Sequence, residues 1–199
     1  MTFFNKIKWI LGILLVFVLI AITNLIDRNN FVRVRDSVVT IYEDRLVAKE
    51  LIYKISKSVN KKEIALTTRD SSFFIEKNPK LNSQINNYIS RFEQTKLTQE
   101  ESKIFEDLKS NFNSLFDAEK NKLNSNAENY TTLFALIADI NDNLDDLSII
   151  QISEGSKQLA ISKKAINTVE LFTQIEIYLL VFLAIVIQII VIYNPKVKK

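Results

Sequence analysis

Arg45 stands where a packed helix ordinarily carries Leu or Val. It lies between Ile41 and Ala48 in a run of apolar residues spaced by three and four, the spacing of a buried helix face. A guanidinium there calls for a carboxylate, because an unpaired buried charge is strongly unfavourable. That carboxylate is either a ligand's, which makes Arg45 the candidate ligand-binding residue, or one of the chain's own acids, which makes it a packing switch. The remaining alternative puts Arg45 at the edge of the stripe with its head in water. Farther along, Lys54, Lys57 and Lys61 repeat the spacing of three and four, and Asp139, Asp142 and Asp145 repeat it near the other end of the chain. Each set occupies one helix face. Two antiparallel helices carrying them would oppose their charges in a ladder, or present two separately solvated faces.

Catalytic chemistry has few candidates. The chain contains neither His nor Cys, which removes the commonest general base, the thiol nucleophile and the ligands of the usual di-metal bundles. The stretch DINDNLDD, Asp139 to Asp146, has the look of a calcium loop. The EF-hand pattern requires Gly at its sixth position and Glu at its twelfth, and Leu144 and Ile150 stand there instead. No phosphate-binding loop, dinucleotide fingerprint or nucleophile elbow occurs. No metal, no cofactor and no enzymatic activity are expected.

The elements that position these residues follow from composition. With only two Gly and two Pro in 199 residues, long helices are the default and a turn-rich β fold is improbable. The net charge of +3, with basic residues interleaved among acids, does not suggest a nucleic-acid binder.

Two apolar segments frame the chain. Trp9 to Ile26 and Ile177 to Tyr193 carry no charge, and each approaches the ~20 residues of a membrane-spanning helix. Trp9, Tyr178 and Tyr193 suit the membrane interfaces. Gln188, inside the second segment, is a candidate intramembrane contact to a neighbouring helix. Lys6 and Lys8 precede the first segment, and Lys196, Lys198 and Lys199 follow the second; flanking positive charge stays cytoplasmic. All 23 acidic residues fall between Asp27 and Glu176. The expected organisation is a cytoplasmic N-terminus (1–8), a first span (9–26), a domain outside the cell membrane (27–176), a second span (177–193) and a cytoplasmic tail (194–199). A cleaved signal peptide is the rival for the first segment, but AIT, Ala21 to Thr23, is a poor cleavage site and the apolar run continues past it. An uncleaved anchor is expected.

The domain between the spans divides into four helices. The first carries Val34, Val38, Ile41, Ala48, Ile52, Ile55 and Val59 on one face, widened by Tyr42, Leu46 and Tyr53, and nothing breaks it before Pro79. Pro79 suits the first turn of a second helix. Thr98 and Glu101 form a capping box for a third, and the polar stretch Asn124 to Asn129 separates it from a fourth that runs on into the second span. An antiparallel up-down four-helix bundle, all-α and flanked by two transmembrane helices, returns the chain to the membrane it left. If the first helix leaves the membrane near Ile26 and the fourth returns near Phe172, equal rise per residue sets their register. Lys54 then stands level with Asp145, Lys57 with Asp142, Lys61 close to Asp139, and Arg45 with Glu154, its expected partner.

VVTIYEDRLVAKELIYKIS, Val38 to Ser56, following a membrane span, resembles the opening helix of the sensory domain of bacterial methyl-accepting chemotaxis receptors. LTQEESKIFEDLKSNFNSLFDAEKNKL, Leu97 to Leu123, is similar to that domain's third helix, and the order of elements agrees over nearly the whole chain. The resemblance implies a bacterial inner-membrane protein whose bundle senses small molecules outside the cell, often as a homodimer, with small movements of a membrane helix carrying the signal inward. Such receptors continue after the second span into a linker module and a long cytoplasmic hairpin; here the sequence ends at Lys199. The expectation is a sensor-like protein that binds a small ligand or partner and acts through another membrane protein. The alternative is a structural or interaction module of the envelope with no ligand.

Overall fold

The computed structural model describes residues 3–122 and 128–192. The expected tail (194–199), most of the polar turn before the fourth helix, residues 1–2 and the side chains of residues 3–10 lie outside the described residues. The described structure is helical throughout, without a strand: α1 (Phe3–Thr40), a π-helical turn (Ile41–Leu46), α2 (Val47–Thr67), α3 (Ser71–Glu76), α4 (Asn78–Glu93), α5 (Gln99–Lys122) and α6 (Glu128–Ile192). The chain divides into two compact units, Val39–Gln158 and the pair of stretches up to Val38 and from Leu159.

The Val39–Gln158 unit holds the apolar core. Ala48, Leu51, Ile52, Ile55 and Val59 of α2 pack with Leu81, Ile85 and Phe92 of α4, Phe105, Leu108, Phe112 and Leu115 of α5, and Leu133, Ile137, Ile140, Leu144 and Leu147 of α6. These positions recur at helical spacing, so each helix buries one stripe. Sequence neighbours run antiparallel. Phe92 lies against Phe105, with ring centroids 4.9 Å apart, while Lys109 reaches back to Glu93 at 3.0 Å. The Nδ2 of Asn111 on α5 donates to Oδ1 of Asn143 on α6 at 2.9 Å. Lys49 on α2 donates to the Oγ of Ser148 on α6 at 2.7 Å.

Local signals set the helix ends. Pro79 sits in the first turn of α4, as its missing N–H permits. The capping box forms: Thr98 N–H donates to the Oε2 of Glu101 at 2.6 Å, and Glu101 N–H to the Oγ1 of Thr98 at 3.2 Å. The first helix, however, does not run to Pro79. It stops at Thr67; Arg69 takes a positive φ of 52°, and Asp70 caps α3 by accepting from Phe73 N–H at 3.1 Å. Two residues of β-unfriendly, cap-forming type, Asp70 and Ser71, outweigh the absence of Gly or Pro. The expected inward face of the first helix is also corrected at its start. Val38, Tyr42, Leu46 and Tyr53 are exposed, whereas Ser37 is buried. The π turn between them displaces the helical phase: Val47 N–H donates to the carbonyl of Tyr42, five residues back, where an α-helix bonds four back.

In the other unit, Thr23 Oγ1 on α1 donates to Glu176 Oε2 on α6 at 3.5 Å, which joins the two helices. Asn30 and Ser37 of α1 and Ser162 and Ala165 of α6 are buried there, while Leu14, Phe17, Leu25, Tyr178 and Phe182 are exposed. Gln188 is exposed. Among the described residues α6 is the helix long and apolar enough to cross a membrane, over Tyr130–Val186, with a window of mean hydropathy 2.0 and none of it buried.

Two substitutions check this packing through the thermal midpoint of the detergent-solubilised chain. Gly155 lies inside α6 with open space where a Cβ would point, so Gly155→Ala should stabilise by up to about 1 kcal/mol. Phe92→Ala, in the core, should cost about 3–5 kcal/mol.

Candidate functional site

Two buried ion pairs cross the core of the bundle. Arg45, 7% exposed, extends from the π turn to Glu101, 0% exposed, at the start of α5. Its Nη1 donates to Glu101 Oε1 at 2.7 Å and to Gln151 Oε1 of α6 at 3.2 Å, and its Nη2 donates to the carbonyl of Lys96 at 2.9 Å. The adjacent Asp44 accepts from Lys96 N–H at 3.2 Å, so consecutive residues hold both ends of one linker residue. Gln151 Nε2 donates to Glu101 Oε1. Glu101 therefore caps α5, binds α6 and neutralises Arg45 at once. The Arg45 Nε is buried without a partner among the described residues.

The second pair lies about 25 Å farther along α2, at ~1.5 Å per residue. Lys62, fully buried, donates to Glu119 Oε1 of α5 at 2.6 Å and to the Oδ1 atoms of Asn78 and Asn82 of α4, both at 2.5 Å. Asn78 and Asn82 return their amide groups to Glu119 Oε2 at 2.8 and 3.1 Å, and the Lys62 Nζ lies 5.5 Å from the Phe116 ring centroid. All three ammonium protons have carbonyl or carboxylate acceptors. Burial pushes the Lys62 ammonium below its usual range, and Glu119, by charge and hydrogen bond, pulls it only part of the way back. The two pairs join α2 or its π turn to α5 in the same order along both helices, so these helices run parallel, as the diagonal members of an up-down bundle must.

The expected partners differ. Glu154 does not hold Arg45; it pairs with Lys157 at 2.5 Å. Lys54 pairs with Glu50 at 2.5 Å and lies 5.8 Å from the Tyr88 ring centroid of α4. Lys57 and Lys61 are exposed, and among the described residues neither forms an ion pair with Asp142 or Asp139. The register is nearly as expected, since Arg45 meets Gln151 and Lys49 meets Ser148, within three residues of the anticipated levels. Height along a helix does not fix direction around it, and Lys54 points toward α4 rather than α6. Lys49 takes the place facing α6. It lines a groove of about 410 Å³ with Tyr53, Ser56 and Asn60 of α2 and Asn141, Asp145 and Ser148 of α6. Asp139 and Asp142 line a separate groove between α5 and α6, with Asp107, Ser110, Asn111 and Asn143. Among the described residues no group of three or more acids converges to hold a metal ion.

Residues 6–166 match the model of a family described as the four helix bundle sensory module for signal transduction. This chain belongs to that family. No curated protein and no solved structure matches it. In this sensory module, then, the two buried pairs are internal fastenings and the α2–α6 groove is the open polar surface beside them. Lys62 was not anticipated, though its position was readable: it continues the inward series Ile55, Val59, which Lys57 and Lys61 do not share. Glu101 was anticipated as a cap, but not as the partner of Arg45.

Removal of either acid leaves a buried cation, so Glu101→Ala and Glu119→Ala should each destabilise by about 3–5 kcal/mol. Arg45→Leu should cost less, because Glu101 keeps Thr98 and Gln151. The Lys62 shift also has a sign. Its folded value lies below the ordinary one, so the unfolded chain binds more protons between the two, and stability rises with pH in that window. The melting difference between the parent and Lys62→Gln should therefore move in the parent's favour as pH approaches the ordinary lysine range of about 10.4.

Proposed function

We propose that the chain is a membrane-anchored sensor of the bacterial inner membrane. It has two spans, both termini in the cytoplasm and the bundle outside. It binds a small polar ligand in the groove between α2 and α6 and acts through another membrane protein. The observation that carries the ligand reading is the groove. Its volume of about 410 Å³ falls in the range of small-molecule sites, roughly 300–1,000 Å³. Lys49 and Asp145 supply opposite charges there, with neither in an ion pair among the described residues, and Ser56, Asn60, Asn141 and Ser148 supply hydrogen-bonding groups. Arg45, already engaged by Glu101, is a fastening beside that site rather than the site itself.

Anchoring is supported by the exposed apolar surface of α1 and α6, which water would disfavour and lipid would not. Gln188, exposed on α6, offers a polar contact to a partner helix in the membrane. A homodimer is supported by Val39, Tyr42, Leu46 and Tyr53. They form one exposed apolar stripe, each between 44% and 66% exposed, and a second copy would cover it.

A thermal-shift screen of the detergent-solubilised chain against amino acids, organic acids and aromatic acids tests the ligand reading. A ligand at about 100 times its dissociation constant should stabilise by about 2.7 kcal/mol, and Lys49→Ala or Asp145→Ala should abolish the shift. A folded chain with no response to the panel would favour the alternative, a structural module of the envelope. Leu46→Lys should separate a dimer into monomers in multi-angle light scattering; an unchanged mass would remove the stripe from that role.

A further inference from the structure

We propose that the π turn at Ile41–Leu46 is a one-residue register switch in the first helix, latched by the Arg45–Glu101 pair. An α-helix turns about 100° per residue. Continued without interruption from Arg45, it would bring Val38 within about 20° of the Arg45 face and Phe31 within about 40°, while Ser37 and Asn30 would stand about 80° and 60° away on the other side. The observed burial is that of a helix one residue out of that phase. Ser37 and Asn30 are 4% and 6% exposed, whereas Val38 and Phe31 are 55% and 72% exposed. The Nδ2 of Asn30 is buried without a partner among the described residues, as is Oδ1 of Asp27.

The present register thus buries polar groups and leaves large apolar ones outside, and closing the turn to α geometry would exchange them. π turns are rare, occur mostly as single turns inside α-helices, and recur at functional sites. What holds this one is its own side chain. Arg45 reaches across the core to Glu101, Gln151 and the carbonyl of Lys96, and Asp44 grips the Lys96 amide. Glu101 keeps its bonds to Thr98 and Gln151 when Arg45 leaves, so the latch can open without stripping the carboxylate of every partner. Two arrangements of one helix, each satisfied differently, make a bistable element of the kind that signalling requires. As a signalling device it rests on the sensory reading; as a two-register helix it stands or falls separately.

Disulfide mapping in membranes of the full chain tests it. The parent has no Cys, so the background is silent. Thr23 faces Glu176 at 3.5 Å, and Thr23→Cys with Glu176→Cys should crosslink more strongly than Asn24→Cys with Glu176→Cys. Arg45→Gln, which opens the latch, should move the stronger crosslink from position 23 to position 24, whereas deletion of Tyr42, which removes the extra residue and leaves an uninterrupted α-helix in the observed register, should hold it at position 23. Circular dichroism checks that the variants keep their helicity. Crosslinking that stays at position 23 in folded Arg45→Gln, or that moves to position 24 in the deletion, overturns the proposal. So does loss of helicity in both variants, which would make the pair a plain structural clamp. A shifted crosslink without any ligand response would sustain the switch and count against the sensory reading alone.

Discussion

The constraint on which the bundle depends is the desolvation of two cations. Arg45 and Lys62 are carried into the core by the same helix that supplies Ala48, Ile52, Ile55 and Val59, and both are buried. Each is acceptable only where a carboxylate and further acceptors meet it. That requirement selects one arrangement of the four helices. A shift of α5 by one turn would leave both cations facing apolar side chains, an error that an all-leucine core would tolerate far better. The pairs contribute specificity more than stability, and the large apolar stripes supply the driving force.

The proposed site lies beside these fastenings. The Arg45 network ties the π turn, the linker at Lys96, the start of α5 and the middle of α6 into one polar cluster. The groove between α2 and α6 begins one turn beyond it, at Lys49 and Ser148. A ligand bridging those helices would act on elements already coupled through Gln151 and Arg45. The family's description as a sensory module for signal transduction agrees with a bundle whose polar groups are concentrated where its helices must hold register.

Much of this architecture was legible in the sequence because it is written in local patterns. The apolar spacing of α2, α4, α5 and α6, the start at Pro79 and the capping box at Thr98 each depend on residues within a turn or two. Arg45 was recognisable as a residue in need of a carboxylate. Its partner was not, because equal rise gives the level of a residue on a neighbouring helix and says nothing of the diagonal one. The ladder of Lys54, Lys57 and Lys61 against aspartates failed for the same reason: level without direction. The stop at Thr67 had a readable sign in Asp70 and Ser71. The π turn had none, since no Gly or Pro marks Ile41–Leu46 and its cause lies in contacts made across the core.

The threefold engagement of Glu101 also restricts how this protein can change over generations. Arg45 can be exchanged first, because the carboxylate it leaves behind still accepts from Thr98 and Gln151. Glu101 cannot, because its loss strands a guanidinium and uncaps a helix in the same step. Descent through single substitutions is therefore one-way at this cluster, and relatives that lack the acid should also lack the arginine. Thr98 is freer, since its loss weakens a cap and leaves the charge pair in place. The order of loss, rather than the identity of any one residue, is what this cluster imposes on its lineage.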